Sequence, residues 1–420
     1  MRWDDMDDMD YFALDGYDPN QFKVKVLKDF CRGTIFGDVE RGRGIAGCRR
    51  AIWLDERDNT PNGGTAEIRQ HKNPLTATGL YRALEIPRFN NERLPHASRR
   101  LIYIADLDPA CIRALAETAS VHQSEGLRDA IYKYLTFQTS IEVKISSVGF
   151  PTFQLHLHIP FFILSKCSPP KASTSTIETK PSRRWTDLSF LRLDGLKSQA
   201  QDSTEVWGMQ EAQISCVIIG TDDWRWVGYG FVDSEVDGLL DECDEEELQF
   251  DQIADRELYT HSPVQQPRNY WIRVFQIRIA SIGKQWEHNL YRLQRAIDTH
   301  FTQDPARPSL SNKSERQLAE VEAAFDWTLK TLEILRRLTA ALSDTLDAWA
   351  KFSAPGGDIG YFEDKDSNPQ HSSNIQRLHT IRRVFGELEG VYKAFLVLNK
   401  RCADYISTVS NARLYSGISY

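Results

Sequence analysis

Several things are missing from this 420-residue sequence, and each absence excludes a class of protein. No apolar run is long enough to cross a bilayer. The longest, Phe153 to Leu164, falls short of the roughly 20 residues a membrane helix needs and is interrupted by His156, His158 and Pro160. No two of the seven cysteines, Cys31, Cys48, Cys111, Cys167, Cys216, Cys243 and Cys402, stand in a CxxC pair, and their number is odd. That excludes a disulfide framework and a structural zinc site, and it fits a reducing compartment. Concentrated basic charge is also missing. With 51 Lys and Arg against 59 Asp and Glu the net charge is -8, and no basic run exceeds a few residues, so no nucleic-acid partner is expected. The segment Met1 to Asp10 is acidic where signal and transit peptides are basic. No Gly-x-Ser-x-Gly, HExxH, P-loop or kinase signature occurs, so no enzyme is expected. The sequence therefore reads as a soluble, intracellular, cytoplasmic protein without a span of its own.

What is present is strong helical periodicity towards the C-terminal end. Leu318, Val321, Phe325, Leu329, Leu332, Leu335, Leu338, Leu342, Leu346 and Trp349 recur at steps of three and four residues, which places them on one stripe of a helix over Glu315 to Phe352. Ile375, Leu378, Ile381, Phe385, Leu388, Tyr392, Phe395, Leu398, Cys402, Tyr405 and Val409 repeat the stripe from Asn374 to about Ala412. A third amphipathic helix is expected over Tyr270 to Phe301. Upstream, Leu101 to Ala105 has strand composition, and Asp108-Pro109 is an N-cap followed by proline at the first helical position. Helices over Pro109 to Ala119 and Glu125 to Leu135 follow, split by a polar connection at Val121 to Ser124. Ser140 to Ile145 and Thr152 to Ile159 alternate as two half-buried antiparallel strands, and Ala212 to Gly220 with Trp224 to Asp233 reads as a hairpin. The fold class is α+β, a mixed α/β sheet domain followed by long antiparallel helices. Its expected divisions are an irregular, loosely packed leader over 1–98 with a few short strands or helices at apolar pieces such as Phe22 to Phe30 and Ala51 to Leu54, a sheet domain over 99–235 with a mobile insertion at 166–206, and an acidic linker over 236–266. A helical region over 267–352, a loop over 353–373 and a long helix over 374–420 follow.

Four motifs invite chemistry. Gly42-Arg-Gly44-Ile-Ala-Gly47 matches GxGxxG, yet no buried strand precedes it and no βαβ unit follows, so it reads as a turn. His156 and His158 point to the same side of a strand and are able to chelate a metal, although the ordinary reading is a polar face or a satisfied histidine. The Asp-rich N-terminus and Asp241 to Glu247 lack EF-hand spacing and read as solvated acidic tracts. Trp224-Arg-Trp226 and Tyr229-Gly-Phe231 are expected to pack in a sheet edge rather than stack a base.

Four blocks taken together resemble the cytosolic region of fungal CorA-like divalent-cation transporters. They are Arg99 to Pro109, the His-x-Pro-aromatic corner within Phe153 to Phe162, the Trp-containing hairpin Val217 to Asp233, and Pro267 to Arg278 at the entry to a long helix. The resemblance covers roughly residues 99–415. It implies a cytosolic domain feeding a stalk helix, with magnesium or a related ion as passenger. The Gly-Met-Asn pore motif is absent, so the expectation is a CorA-like regulatory and stalk unit without the pore. Such a unit self-associates or docks on a membrane-bound relative, with weakly bound regulatory Mg2+. By helical position the candidate ligands are Glu320, Asp326, Glu333, Asp344 and Asp347, together with Glu322. An interaction or signalling module working through the terminal helices is the alternative, and a metal-dependent hydrolase on the His156/His158 face is the remote one.

Overall fold

The computed structural model describes residues 21–58, 67–146, 151–167, 183–193, 205–261, 263–303, 315–363 and 369–417. One mixed sheet lies at its centre, made of β1 (Ile52–Arg57), β2 (Ile68–Arg69), β3 (Arg99–Ala105), β4 (Ser140–Ser146), β5 (Thr152–Cys167), β6 (Trp185–Asp187), β7 (Val206–Gly220) and β8 (Trp226–Val232). The order is β2-β1-β3-β8-β7-β5-β4, with β6 added to β7 beyond the end of β8. Every pair is antiparallel except β3 with β8.

Strand alternation sends the side chains of this sheet into two separate cores. Trp53, Leu101, Tyr103, Leu155, Leu157 and Trp226 enter one. Ile52, Leu54, Ile102, Ile104, Val227 and Phe231 enter the other. The second core is roofed by α1 (Gln21–Phe30), α2 (Phe36–Arg41), α3 (Ile45–Cys48), α4 (Ala77–Leu84), α5 (Pro109–Thr118) and α6 (Val121–Leu135). After the short α7 (Ser234–Asp237), the three long helices α8 (Pro267–Gln303), α9 (Glu315–Ser353) and α10 (Pro369–Gly417) cover the first core. α8 and α9 lie on the sheet, and α10 packs against both of them. Aromatic rings fasten this layer: Trp349 stacks on Phe385 at 4.4 Å and Trp271 on Phe362 at 5.0 Å. The α+β layout of a sheet domain followed by long packed helices is the architecture observed. No helix among the described residues is long and apolar enough to cross a membrane.

Several local expectations are corrected. The leader does hold short elements, four helices and two strands in its described part, but it is not loosely packed: all six residues of β1 are buried. The apolar piece Ala51 to Leu54 opens β1, which runs on through Asp55-Glu-Arg57 next to the two-residue edge strand β2; Asp55 and Glu56 are paired with Arg99 and Arg100 of β3. The polar connection Val121 to Ser124 is instead the first turn of α6, because Ser120 and Gln123 form a reciprocal capping box. β5 runs on through Pro160 to Cys167. Proline is accommodated there because β4 ends opposite His158, so beyond that point β5 pairs with β7 alone. Nor is β5 half-buried: Phe153 to Phe162 are all buried, since α6 covers the side that carries the histidines. β8 lies inside the sheet rather than at its edge, although Trp224 before it is exposed.

The acidic segment after β8 is anchored as well. Fully buried Arg278 of α8 makes a bidentate pair with Asp237 at 2.7 and 2.8 Å and donates to the carbonyls of Gln252 and Ile253. Residues 244–246 at its centre remain exposed. In the loop before α10, Ile359 and Phe362 are buried. Of the insertion expected at 166–206, residues 168–182 and 194–204 lie outside the described residues, while β6 in between pairs with β7.

Candidate functional site at the edge of the sheet

β4 is the last strand of the sheet, and α9 passes beside it. Between them opens a cleft of about 630 Å3. One wall is the run from Phe137 to Glu142, and the other is Asp344, Asp347, Ala348, Lys351 and Phe352 of α9; Gly357 and Asp358 close one end. Asp358 accepts a hydrogen bond from the Val143 amide at 2.8 Å, which satisfies an edge donor of β4. The cleft is lined by four carboxylates, Glu142, Asp344, Asp347 and Asp358, and by Lys351; Glu142 is also paired with Lys133 and Lys144 behind it. Asp344 and Asp347, one turn apart on α9, are the pair to which a cation would come.

Two of the candidate ligands named by helical position, Asp344 and Asp347, therefore share a cleft. The others are placed elsewhere. Asp326 and Glu322 are exposed, Glu333 is exposed and pairs with Arg184 at 3.2 Å, and the side chain of Glu320 lies outside the described residues.

Behind the cleft, under α6, sits a polar cluster around the two histidines. Antiparallel pairing puts Glu142 opposite His156 and Ser140 opposite His158. His156 meets Gln154 through Nε2 at 3.1 Å and His158 through Nδ1 at 3.4 Å; His158 Nδ1 meets Ser215 Oγ at 2.8 Å. Both imidazoles are fully buried. Burial, reinforced by Lys133 for His156 and by His156 for His158, holds both well below the usual histidine range, so both are neutral at pH 7. From α6, Asp129 receives Lys23 at 2.7 Å, Lys144 at 2.8 Å and Lys133 at 3.1 Å. Lys133 also pairs with Glu142, and Lys144 lies 3.3 Å from it. Burial pushes the Asp129 and Glu142 carboxyls up, but the surrounding ammonium groups outweigh it and hold both low. One ligand atom each of Asp129, Glu142 and His156 lies within 4.8 Å of the others. Asp129, Glu142 and Lys133 were not singled out in the sequence. The signal available was the hairpin register, which sets Glu142 beside His156. With the histidines sealed under α6, the pair offers no open face for a hydrolase substrate.

The GxGxxG segment is a turn in which the glycines have local duties. Gly42 ends α2 with φ 69°, Gly44 has φ 56°, and a Cβ on Gly47 would stand 2.0 Å from the Gly42 carbonyl oxygen. The hollow of about 170 Å3 beside it is lined by Asp38 and Asp108 as well as Arg43, and Asp108 is paired with Arg49, so it has no surplus of positive charge for a phosphate.

No protein-family model matches the chain, and no curated protein matches it. Among solved structures it is similar to the crystal structure of the ZntB cytoplasmic domain from Vibrio parahaemolyticus RIMD 2210633. The TM-score is 0.34 and the identity 9%, over 86% of this chain and 98% of that one. A likeness this distant carries no functional argument.

Proposed function

We propose that the chain is a CorA-like regulatory unit that responds to a hard divalent cation, with Mg2+ as the physiological class, and that it works by assembly rather than by catalysis. The carrying observation is the cleft that Asp344 and Asp347 of α9 line together with Glu142 and Asp358. Oxygen-only, partly hydrated sites of this kind suit Mg2+, which retains several waters and binds weakly through one or two carboxylates. A cation there offsets repulsion between the sheet edge and α9, and so tightens the contact between the two layers. The four-block sequence resemblance supports the same reading, and it supplies the expected partner: a second copy or a membrane-bound relative.

Magnesium titration followed by calorimetry and thermal shift tests this. The expected result is stabilisation in the millimolar range that disappears in a D344N/D347N variant. An unchanged melting temperature through that range overturns cation sensing. A second reading, docking of a partner on the helices, is favoured by one specific feature: Leu396 and Val397 on the outer side of α10 are 45% and 59% exposed. Size-exclusion chromatography with light scattering distinguishes them. Assembly that depends on magnesium supports the first reading, and magnesium-independent assembly lost in V397D supports the second.

A further inference from the structure

We propose that Asp129, Glu142 and His156 form a binding site for one first-row divalent transition cation, taken up in exchange for the ammonium groups of Lys23 and Lys144. The site stands apart from the magnesium reading of the cleft, and Glu142 is the residue the two places share. Two carboxylates and an imidazole, with ligand atoms within 4.8 Å of one another, make a mixed oxygen and nitrogen set that suits the manganese-to-zinc series better than magnesium. The His156 ring is fixed in place. Its ring nitrogens are held by Gln154 and by His158, and His158 is held by Ser215. Ligation gives up one of the two ring bonds and keeps the other as the orienting contact.

The plain alternative is a closed ion-pair cluster in which the lysines satisfy both carboxylates. Charge decides what exchange would cost. Three ammonium groups now meet two carboxylates. One dication replacing two ammonium groups leaves the cluster's net charge unchanged, so uptake buries no additional charge. The two lysines concerned are the ones able to leave: the side chains of Lys23 and Lys144 are 32% and 43% exposed, and their stems reach water by rotation. Lys133, at 12%, stays in place. Glu142, 31% exposed and lining the cleft, marks the entrance.

The test is titration of the chelator-treated full chain with Co2+, read by visible absorption and by metal content after dialysis. One Co2+ per chain is expected, with affinity weakened at least about tenfold in D129N and in H156Q. K144Q removes a competing cation from an exposed position and is expected to tighten Co2+ binding by about tenfold, equivalent to roughly 1.4 kcal/mol. K144Q keeps the test decisive if H156Q fails to fold, because a purely structural ion pair predicts no gain. Failure of both wild type and K144Q to retain cobalt overturns the proposal, as does a K144Q variant that binds no tighter. The D344N/D347N variant is expected to keep its Co2+ while losing its magnesium response, so either reading is able to fail alone.

Discussion

His156 and His158 illustrate how one side chain's surroundings set its behaviour. Both are fully buried and neutral, so each has a folded-state pKa below its unfolded value of about 6.5. The stability they contribute is complete above pH 6.5 and is lost as the pH falls below it, because the unfolded chain takes up protons that the folded one refuses. Unfolding free energy measured from pH 7 to pH 5 should fall by up to about 1.4 kcal/mol per pH unit for each histidine. In an H156Q/H158Q variant that slope should flatten, and an unchanged slope would show that the carboxylates alone set the acid response. The alternation of Thr152 to Ile159 was enough to place the two imidazoles on the same side of one strand. It was silent on whether that side meets water, because the answer belongs to α6, a helix that brings Gly126, Asp129 and Lys133 down over it. In the same way, helical spacing brought Asp344 and Asp347 to notice as surface acids, but the facing wall of the cleft comes from a loop and an edge strand far away in the chain.

α6 reaches the sheet so closely because of Gly126. A Cβ at that position would come within 2.8 Å of Ile219 Cδ1 and 2.9 Å of the Gln154 amide. In G126A either those side chains or the helix must shift, at a cost of about 1–3 kcal/mol measured by urea unfolding. The same shift would loosen the Gln154 bond to His156, so a G126A protein of unchanged stability would contradict the close approach. Elements with strong periodicity were the legible ones: α8, α9 and α10 carry stripes too long to mistake, and α5 announces itself with Asp108, whose side chain accepts from the Cys111 amide at 2.7 Å. The second half of β1 was hidden because the residues that follow Trp53 on its side of the sheet are the charged Asp55 and Arg57. Burial of these is tolerated only through the pair they form at 2.9 Å and through Arg99. A sequence pattern shows the charge and not the partner.

The apolar core beneath α8, α9 and α10 is continuous with one side of the sheet, so the helical layer and the sheet are expected to unfold together. Phe385 of α10 is 1% exposed and stacked on Trp349. F385A should therefore destabilise the protein by about 3–5 kcal/mol, and should lower the transition seen by tryptophan fluorescence and by far-UV circular dichroism by the same amount. Two separated transitions would mean that the helical layer melts on its own. This arrangement was readable in part: the helical stripes demanded an apolar partner, whereas the choice of the sheet as that partner depends on strands that are polar or interrupted when read singly.

The parallel contact between β3 and β8 has a kinetic consequence. β8 meets β7 through a tight turn, but Arg99 of β3 must find Trp226 across all the chain between them. Closing that long loop forfeits entropy before any pairing repays it, so the sheet is expected to assemble from two halves, β1 with β3 and β5 with β7 and β8, whose joining limits the rate of folding. Until they join, Leu101 and Tyr103 on one half and Tyr229 and Phe231 on the other are open to solvent together. In that interval the newly made chain is most exposed to aggregation.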